Sequence, residues 1–280
     1  MTKIVLAGTP EFSVPIFEEI IKNFEVVAIV TQPDKPAKRG QNLQESPVKK
    51  LALKYNLKLF QPEKISMIYE ELKELDFDYM LTAAFGQYIP ENILNLPKKF
   101  PLNIHGSLLP KYRGAAPIQH ALLNNETETG VQLIIMTKKM DAGDILKEAK
   151  IKIEESDISL TLFEKLSNLA AENIVSWIHD LDQNNYQRII QDESKVTLAS
   201  KLLKEDSFLD KSKTKKENIA KIKAFALNPG ARYINENNKL VKVYFAIENK
   251  IKNAPVFTCV DGDIFLNDYQ IESKKRVTLK

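Results

Sequence analysis

Apolar residues fall into two alternating kinds of run over the first 180 positions. Residues 3–7 form a short, β-branched-rich apolar run closed by Gly8-Thr9-Pro10, the pattern of a buried strand. Residues 10–22 then place Phe12, Ile16, Phe17, Ile20 and Ile21 on one side at helical spacing, and 26–30 read as a second buried strand. This β-α-β opening implies a doubly wound, mostly parallel sheet. Residues 31–45, with Pro33, Pro36 and Gly40, read as an exposed loop. Ser46-Pro47 looks like an N-cap with proline in the first helical position, opening a helix to about residue 55. A strand is predicted at 57–60, a helix at 66–75, a buried strand at 79–83 and a short strand at 102–105. A helix at 115–123 follows, then two β-like runs, 131–136 and 145–153, around an acidic loop. A long amphipathic helix is predicted at 159–181.

The pattern changes after residue 184. Residues 184–203 carry weak periodicity and read as a linker. A helix is predicted at 217–226, then short strands at 231–234, 240–247, 256–260, 263–266 and 276–279, separated by turn residues. Such a run suggests a small antiparallel barrel. The predicted organisation is an α/β domain over 1–185, a linker over 186–204 and a smaller β-barrel domain over 205–280.

Charge sharpens that division. Residues 205–280 hold 15 Lys+Arg against 10 Asp+Glu, and the remainder holds 25 against 27. A near-neutral body with a basic accessory module suits a polyanionic partner, and equally a solvated lysine-rich surface. The chain has one cysteine, Cys259, so no intrachain disulfide can form, in keeping with a reducing compartment. The apolar stretch at 4–7 is too short for a signal or a membrane span, which makes the cytoplasm the expected location, with no membrane partner. The first β-α turn has Gly8 alone rather than G-x-G-x-x-G, which weakens a dinucleotide-binding reading. No glycine-rich Gly-Lys-Ser/Thr phosphate loop occurs, and His105, His120 and His179 with one cysteine give no metal spacing.

The informative segment is Asn103-Ile104-His105-Gly106-Ser107-Leu108-Leu109-Pro110, continuing to Gly114. Residues two apart on a strand share a face, so Asn103 and His105 point the same way where the strand runs into a glycine loop. Ligands of open α/β sheets bind beyond the carboxyl ends of the strands. A histidine bonded within a loop and an asparagine satisfying backbone groups would look the same locally. Asp141 and Asp144, in the loop between two β-like runs, add a carboxylate that could reach the same edge. Amide, imidazole and carboxylate together suit acyl transfer to an amine without a covalent intermediate. The amide donates to a developing oxyanion, and the other two move protons and fix the ring. Ser107 lacks the G-x-S-x-G setting of a nucleophile.

The run Asn-x-His-Gly-Ser-Leu-Leu-Pro-x-Tyr-Arg-Gly-Ala-Ala-Pro-Ile, residues 103–118, closely resembles the folate-dependent formyltransferase family. The resemblance implies that Asn103, His105 and Asp141 are catalytic and that 10-formyltetrahydrofolate is the formyl donor. It implies that Ser107, Leu108, Leu109, Pro110, Ala83, Phe85, Gly86 and Asp144 line the folate site, with no metal. Gly8-Thr9-Pro10-Glu11-Phe12, Thr31-Gln32-Pro33-Asp34, Ser46-Pro47-Val48-Lys49 and residues 197–206 are similar to those members that act on methionyl initiator tRNA. In them the basic loop after the second strand reaches the acceptor end of the tRNA, which here implicates Arg39 foremost, with Lys35 and Lys38. Their C-terminal module is an OB-like barrel, and Lys213 and Lys215 are candidate phosphate contacts. The enzyme is expected to be a monomer. The chain departs from the family at Met136-Thr137-Lys138-Lys139, where Met-Asp-x-Gly is usual, at Ala142 for threonine and at Gly230 for tryptophan, and its C-terminal module is short. The alternatives are a formyltransferase acting on an amino sugar nucleotide and an inactive folate- or RNA-binding protein. Arg113 reads as a ligand contact or a salt-bridged loop residue, and Trp177 as core.

Overall fold

The computed structural model describes residues 1–36, 43–226 and 229–279. In chain order the elements are β1 (Lys3–Gly8), α1 (Ser13–Asn23), β2 (Glu25–Val30), β3 (Lys35–Pro36), β4 (Leu43–Gln44), α2 (Pro47–Lys54), β5 (Leu59–Phe60), α3 (Tyr69–Lys73), β6 (Tyr79–Ala83), α4 (Glu91–Leu94), β7 (Phe100–His105), α5 (Pro117–Leu123), β8 (Glu128–Ile135), β9 (Ile145–Lys152), α6 (Ser159–Asp182), α7 (Lys215–Ala224), β10 (Ala231–Ile234), β11 (Leu240–Ile247), β12 (Val256–Cys259), β13 (Gly262–Ile271) and β14 (Arg276–Thr278). They divide into two compact units. The first comprises Met1–Arg113, Gly130–Lys150 and Glu164–Thr197; the second comprises Gly114–Thr129, Ile151–Phe163 and Leu198–Lys280.

The first unit is built on a seven-stranded sheet of order β5-β2-β1-β6-β7-β8-β9. β5 through β7 are parallel, and β8 runs antiparallel to β7. This is the doubly wound, mostly parallel sheet expected from the β-α-β opening. The central strands bury almost every side chain: Ile4, Val5, Leu6 and Ala7 of β1 and Tyr79, Met80 and Leu81 of β6 have no exposed surface. Each fully buried aliphatic side chain of this kind is worth about 1.5–3 kcal/mol over leaving it in water. The strand order reverses between β1 and β6, and the crevice beyond their carboxyl ends is where such sheets bind ligands.

The predicted helix start at Ser46 is realised. The Ser46 hydroxyl accepts from Lys49 N at 3.0 Å, and Pro47 stands in the first turn. Within 31–45, β3 and β4 pair as a two-stranded ribbon where the sequence predicted loop throughout. The predicted helix at 66–75 is a 3-10 turn at Ile65–Ile68 running into α3. β7 begins two residues earlier than expected. Pro101 lacks an N–H, but its carbonyl accepts from Met136 N at 2.8 Å, so the proline is tolerated in a paired strand.

In the second unit, β10, β11, β13 and β12 pair antiparallel, with β14 added along β13. β13 serves β12 with its first half and β14 with its second, and its register against β11 shifts between Val243 and Ala246. Irregularities of this kind curl a sheet, and the result is the small barrel-like module expected of the C-terminal strands. α7 carries a full capping box between Thr214 and Glu217.

Candidate active site

Three loops of the first unit meet at the carboxyl end of β7. The first follows β6. Ala84 and Gly86 both take left-handed backbone (φ 46° and 76°), and both are exposed. The turn between them is stapled to the neighbouring strands, because the Phe85 carbonyl accepts from Thr9 Oγ1 at 2.9 Å and from Gln32 Nε2 at 3.0 Å. Ser13 Oγ donates to the Ala83 carbonyl at 2.6 Å, fixing the turn's root.

The second loop continues β7 itself. Asn103 and His105 share one face of the strand, as the two-residue spacing requires. Thr82 stands opposite Asn103 in the parallel ladder, and its hydroxyl donates to Asn103 Oδ1 at 2.7 Å. His105 is buried, with Nε2 at 2.9 Å from the Tyr112 carbonyl. A carbonyl can only accept, so Nε2 carries the hydrogen. The working nitrogen is therefore Nδ1. From sequence the carboxylate was expected to fix the tautomer; a main-chain carbonyl does so instead. The 107–110 segment is held from two sides. Ser107 Oγ donates to the Lys111 carbonyl at 2.8 Å, and Leu109 N donates to Gln132 Oε1 at 2.8 Å. Gln132 is fully buried on β8 opposite His105, and its Nε2 donates to Glu148. The Leu109–Pro110 peptide bond is cis.

The third loop joins β8 to β9 and brings in Asp141. Its carboxylate Oδ2 lies 3.6 Å from His105 Nδ1, longer than a direct hydrogen bond and within ion-pair range. Asp141 adopts φ 51°, and Gly143 follows in a place where a Cβ would fall 1.8 Å from the Ile135 carbonyl oxygen. Only glycine lets the backbone pass so close. Asp144 is partly exposed, and its Oδ2 stands 4.0 Å from Arg188 Nη1.

Asn103 and His105 are thus gathered on β7 with Asp141 facing the ring, while Asp144, on the same loop as Asp141, has its carboxylate towards Arg188. Leu109, Ile134 and Ile145 make a small apolar cluster. The basic residues are placed differently. Lys35 is exposed at the start of β3. Lys38 and Arg39 lie outside the described residues. In the second unit Lys213 pairs with Glu217 at 3.4 Å and Lys215 with Glu248 at 2.7 Å. Trp177 and His179 belong to α6, with Trp177 buried and His179 packed on Phe24.

Three supporting residues were not singled out from sequence, Thr82, Gln132 and Gln191, while Thr197 entered only as the start of the 197–206 segment similar to family members. Thr82 and Gln132 each interrupt an otherwise apolar run, 79–83 and 131–136, and that interruption was the available signal. Gln191 and Thr197 sit in the segment read as linker. Thr197 accepts from Tyr112 N through its hydroxyl at 2.9 Å and from Arg113 N through its carbonyl at 2.9 Å. Arg113 proves to be the salt-bridged loop residue. It is buried, with Nη2 at 2.8 Å from Glu193 Oε1. The Arg113 bond, followed by that from Lys139, pulls the Glu193 carboxyl from 4.5 to about 2.

A model of the formyl transferase family matches residues 2–178. A methionyl-tRNA formyltransferase from Mycoplasmopsis pulmonis is 58% identical over 278 residues, covering 99% of this chain and 96% of the relative. One from Malacoplasma penetrans is 42% identical, covering 99% of this chain and 92% of the relative. Among solved structures, an N-formyltransferase from Helicobacter canadensis in complex with folinic acid and dTDP-3-aminofucose superposes with a TM-score of 0.74 at 22% identity, covering 95% of this chain and 99% of that one. The chain belongs to the formyl transferase family, and the two relatives named at 58% and 42% identity over its whole length are methionyl-tRNA formyltransferases.

Proposed function

We propose that the protein transfers a formyl group from 10-formyltetrahydrofolate to the α-amino group of methionyl initiator tRNA, in support of translation initiation. One observation decides the acceptor: 58% identity, over almost the whole of both chains, to a methionyl-tRNA formyltransferase. The sugar-directed neighbour, at 22% identity, speaks to the fold alone.

The residues present fit a formylated folate. Leu109 packs with Ile134 and Ile145, so an apolar cluster backs the 107–110 segment. The exposed Ala84 and Gly86 of the 83–86 turn and the partly exposed Asp144 carboxylate offer polar groups. Loops that present a few polar groups over an apolar base suit a flat heteroaromatic ring whose rim is lined with donors and acceptors. In this reading the 83–86 turn, Ser107 to Pro110 and Asp144 hold the folate. When bound, it supplies a formyl group on a nitrogen that becomes the leaving amine.

The rest falls to the chain's own side chains. Asn103 has Oδ1 occupied by Thr82, which leaves its Nδ2–H groups to donate to the formyl oxygen as charge builds there. His105 has Nε2–H committed to the Tyr112 carbonyl, so Nδ1 takes the proton of the attacking amine and returns it to the departing nitrogen. Asp141, facing that nitrogen, offsets the charge on the ring while it holds the proton. The acceptor amine has an unperturbed pKa of ~7.7, so about a sixth of it is neutral and able to attack at pH 7. Lys35, Lys38 and above all Arg39 bind the acceptor end of the tRNA, and Lys213 and Lys215 its phosphates. The enzyme acts as a cytoplasmic monomer.

The test is formylation of methionylated initiator tRNA by purified protein with 10-formyltetrahydrofolate, run beside methionylated elongator tRNA and an amino sugar nucleotide. Rapid formylation of the initiator tRNA alone is expected. Turnover of the sugar, or none of any acceptor, would overturn the reading.

A further inference from the structure

Gln191 lies nine residues beyond the end of α6, between an isolated bridge at Ile189 and a short 3-10 turn at Glu193–Lys195, and it is buried. Its side-chain amide has two N–H groups and one oxygen. The Nε2 donates to the Asp141 carbonyl and to the Gly143 carbonyl, both at 2.8 Å. The Oε1 accepts from Arg113 Nε at 2.8 Å. One amide thus closes the turn that holds Asp141 in left-handed backbone, where Gly143 passes the Ile135 carbonyl with no room for a Cβ. The same amide is tied to Arg113, which adjoins Tyr112, the residue whose carbonyl holds His105 Nε2. Arg113 is itself fixed by Glu193 and by its N–H to the Thr197 carbonyl. Gln191 therefore bridges the support of the imidazole and the support of the carboxylate.

We propose that Gln191 is a positioning residue that sets the spacing between His105 and Asp141, with Arg113 as its anchor. The proposal rests on the reading of Asp141 as a catalytic group. Gln191 touches no reacting atom. It acts by presenting two donors to a loop that would otherwise leave two carbonyls without those partners and the turn free to open. A carboxylate displaced by about 1 Å can cost on the order of 100-fold in rate.

The decisive experiment is a double-mutant cycle with single-turnover formylation of methionyl initiator tRNA. Gln191→Met removes both donors, and Gln191→Glu removes the donors but keeps an acceptor for Arg113. Each is made in the parent and in an Asp141→Asn background, with KM measured for both substrates. In the parent background kcat falls by about 10- to 100-fold. Both KM values stay within about threefold, and Gln191→Met adds no further loss once Asp141 is Asn. Parental kcat in both variants overturns the proposal, as does the same fractional loss in both backgrounds, which would mark a general structural role. If Asp141→Asn alone keeps parental turnover, the reading of Asp141 fails, and the proposal with it. Should Gln191→Met not fold, Gln191→Glu, which leaves the buried guanidinium paired, is read by the same criteria.

Discussion

Thr82 and Asn103 face each other across the parallel β6–β7 ladder, with the threonine hydroxyl 2.7 Å from the asparagine side-chain oxygen. That bond decides which end of the amide is free. Nδ2 is left for the site, and an amide flipped the other way would present an acceptor to a developing negative charge. Replacing Asn103 by Ala removes the donor itself and lowers turnover by about 100-fold or more. Replacing Thr82 by Val keeps the shape of the buried side chain and removes the hydroxyl, which also lies 3.2 Å from the Leu102 carbonyl oxygen and 3.3 Å from Met136 Sδ. A neutral hydrogen bond is worth ~1 kcal/mol, so turnover falls by roughly fivefold. Initial rates at saturating tRNA and folate check both. An Asn103→Ala enzyme within about threefold of the parent removes the oxyanion role from this residue.

Gly143 tests the third loop independently of any side chain. A Cβ there would sit 1.8 Å from the Ile135 carbonyl oxygen, so Gly143→Ala must move the β8–β9 turn and Asp141 with it. The clash falls on the last residue of β8, and the rest of the β7–β8 ladder has no part in the contact. Far-UV circular dichroism is expected to match the parent, while turnover drops by about 100-fold. Retained turnover would mean that the position of the Asp141 turn does not matter to the chemistry.

Much of this arrangement was legible before any coordinates. β10 and β11 begin and end at the predicted residues, because the turn-forming residues on either side of each leave little choice. The pairing of Asn103 and His105 on one face followed from strand geometry alone. What escaped was governed by distant partners. β13 extends past its apolar half because Asp268, a poor strand former, pairs with Arg276 across the ladder at 2.6 Å. The segment around Gln191 and Thr197 has no periodicity because its bonds run to main-chain groups of two loops rather than along an element of its own. The tautomer of His105 depends on the Tyr112 carbonyl, and every residue has a carbonyl. Side-chain motifs reveal which groups react and say little of what holds them.

The basic loop after β2 leads to a prediction that salt can separate from folding. Arg39 is proposed to meet the acceptor end of the tRNA, so Arg39→Ala raises KM for methionyl initiator tRNA and leaves KM for the folate unchanged. Each phosphate contact releases about 0.9 counterions on a duplex, so the parent loses affinity faster than the variant as salt rises. The two enzymes therefore converge towards high salt. Normal tRNA kinetics of the variant at low ionic strength would place the contact elsewhere.

Glu193 offers a stability test of the Arg113 cluster. Arg113 and then Lys139 bond its carboxyl and lower its pKa from 4.5 to about 2. In the unfolded chain the same group titrates near its ordinary value. The folded state therefore binds fewer protons than the unfolded one between these limits, and stability rises with pH across that window. The contribution of Glu193 is whole above about pH 4.5 and is lost as pH falls towards about 2. Glu193→Gln removes the titration. Urea unfolding of parent and variant should show a constant difference in favour of the parent from pH 7 to pH 5, which shrinks as acid is added. Because Glu193 is itself 61% exposed while Arg113 is buried, salt should weaken the Glu193 side of the cluster without freeing the guanidinium from Gln191. A difference that persists undiminished into strong acid would mean that the carboxylate is not held by its charge to Arg113 and Lys139.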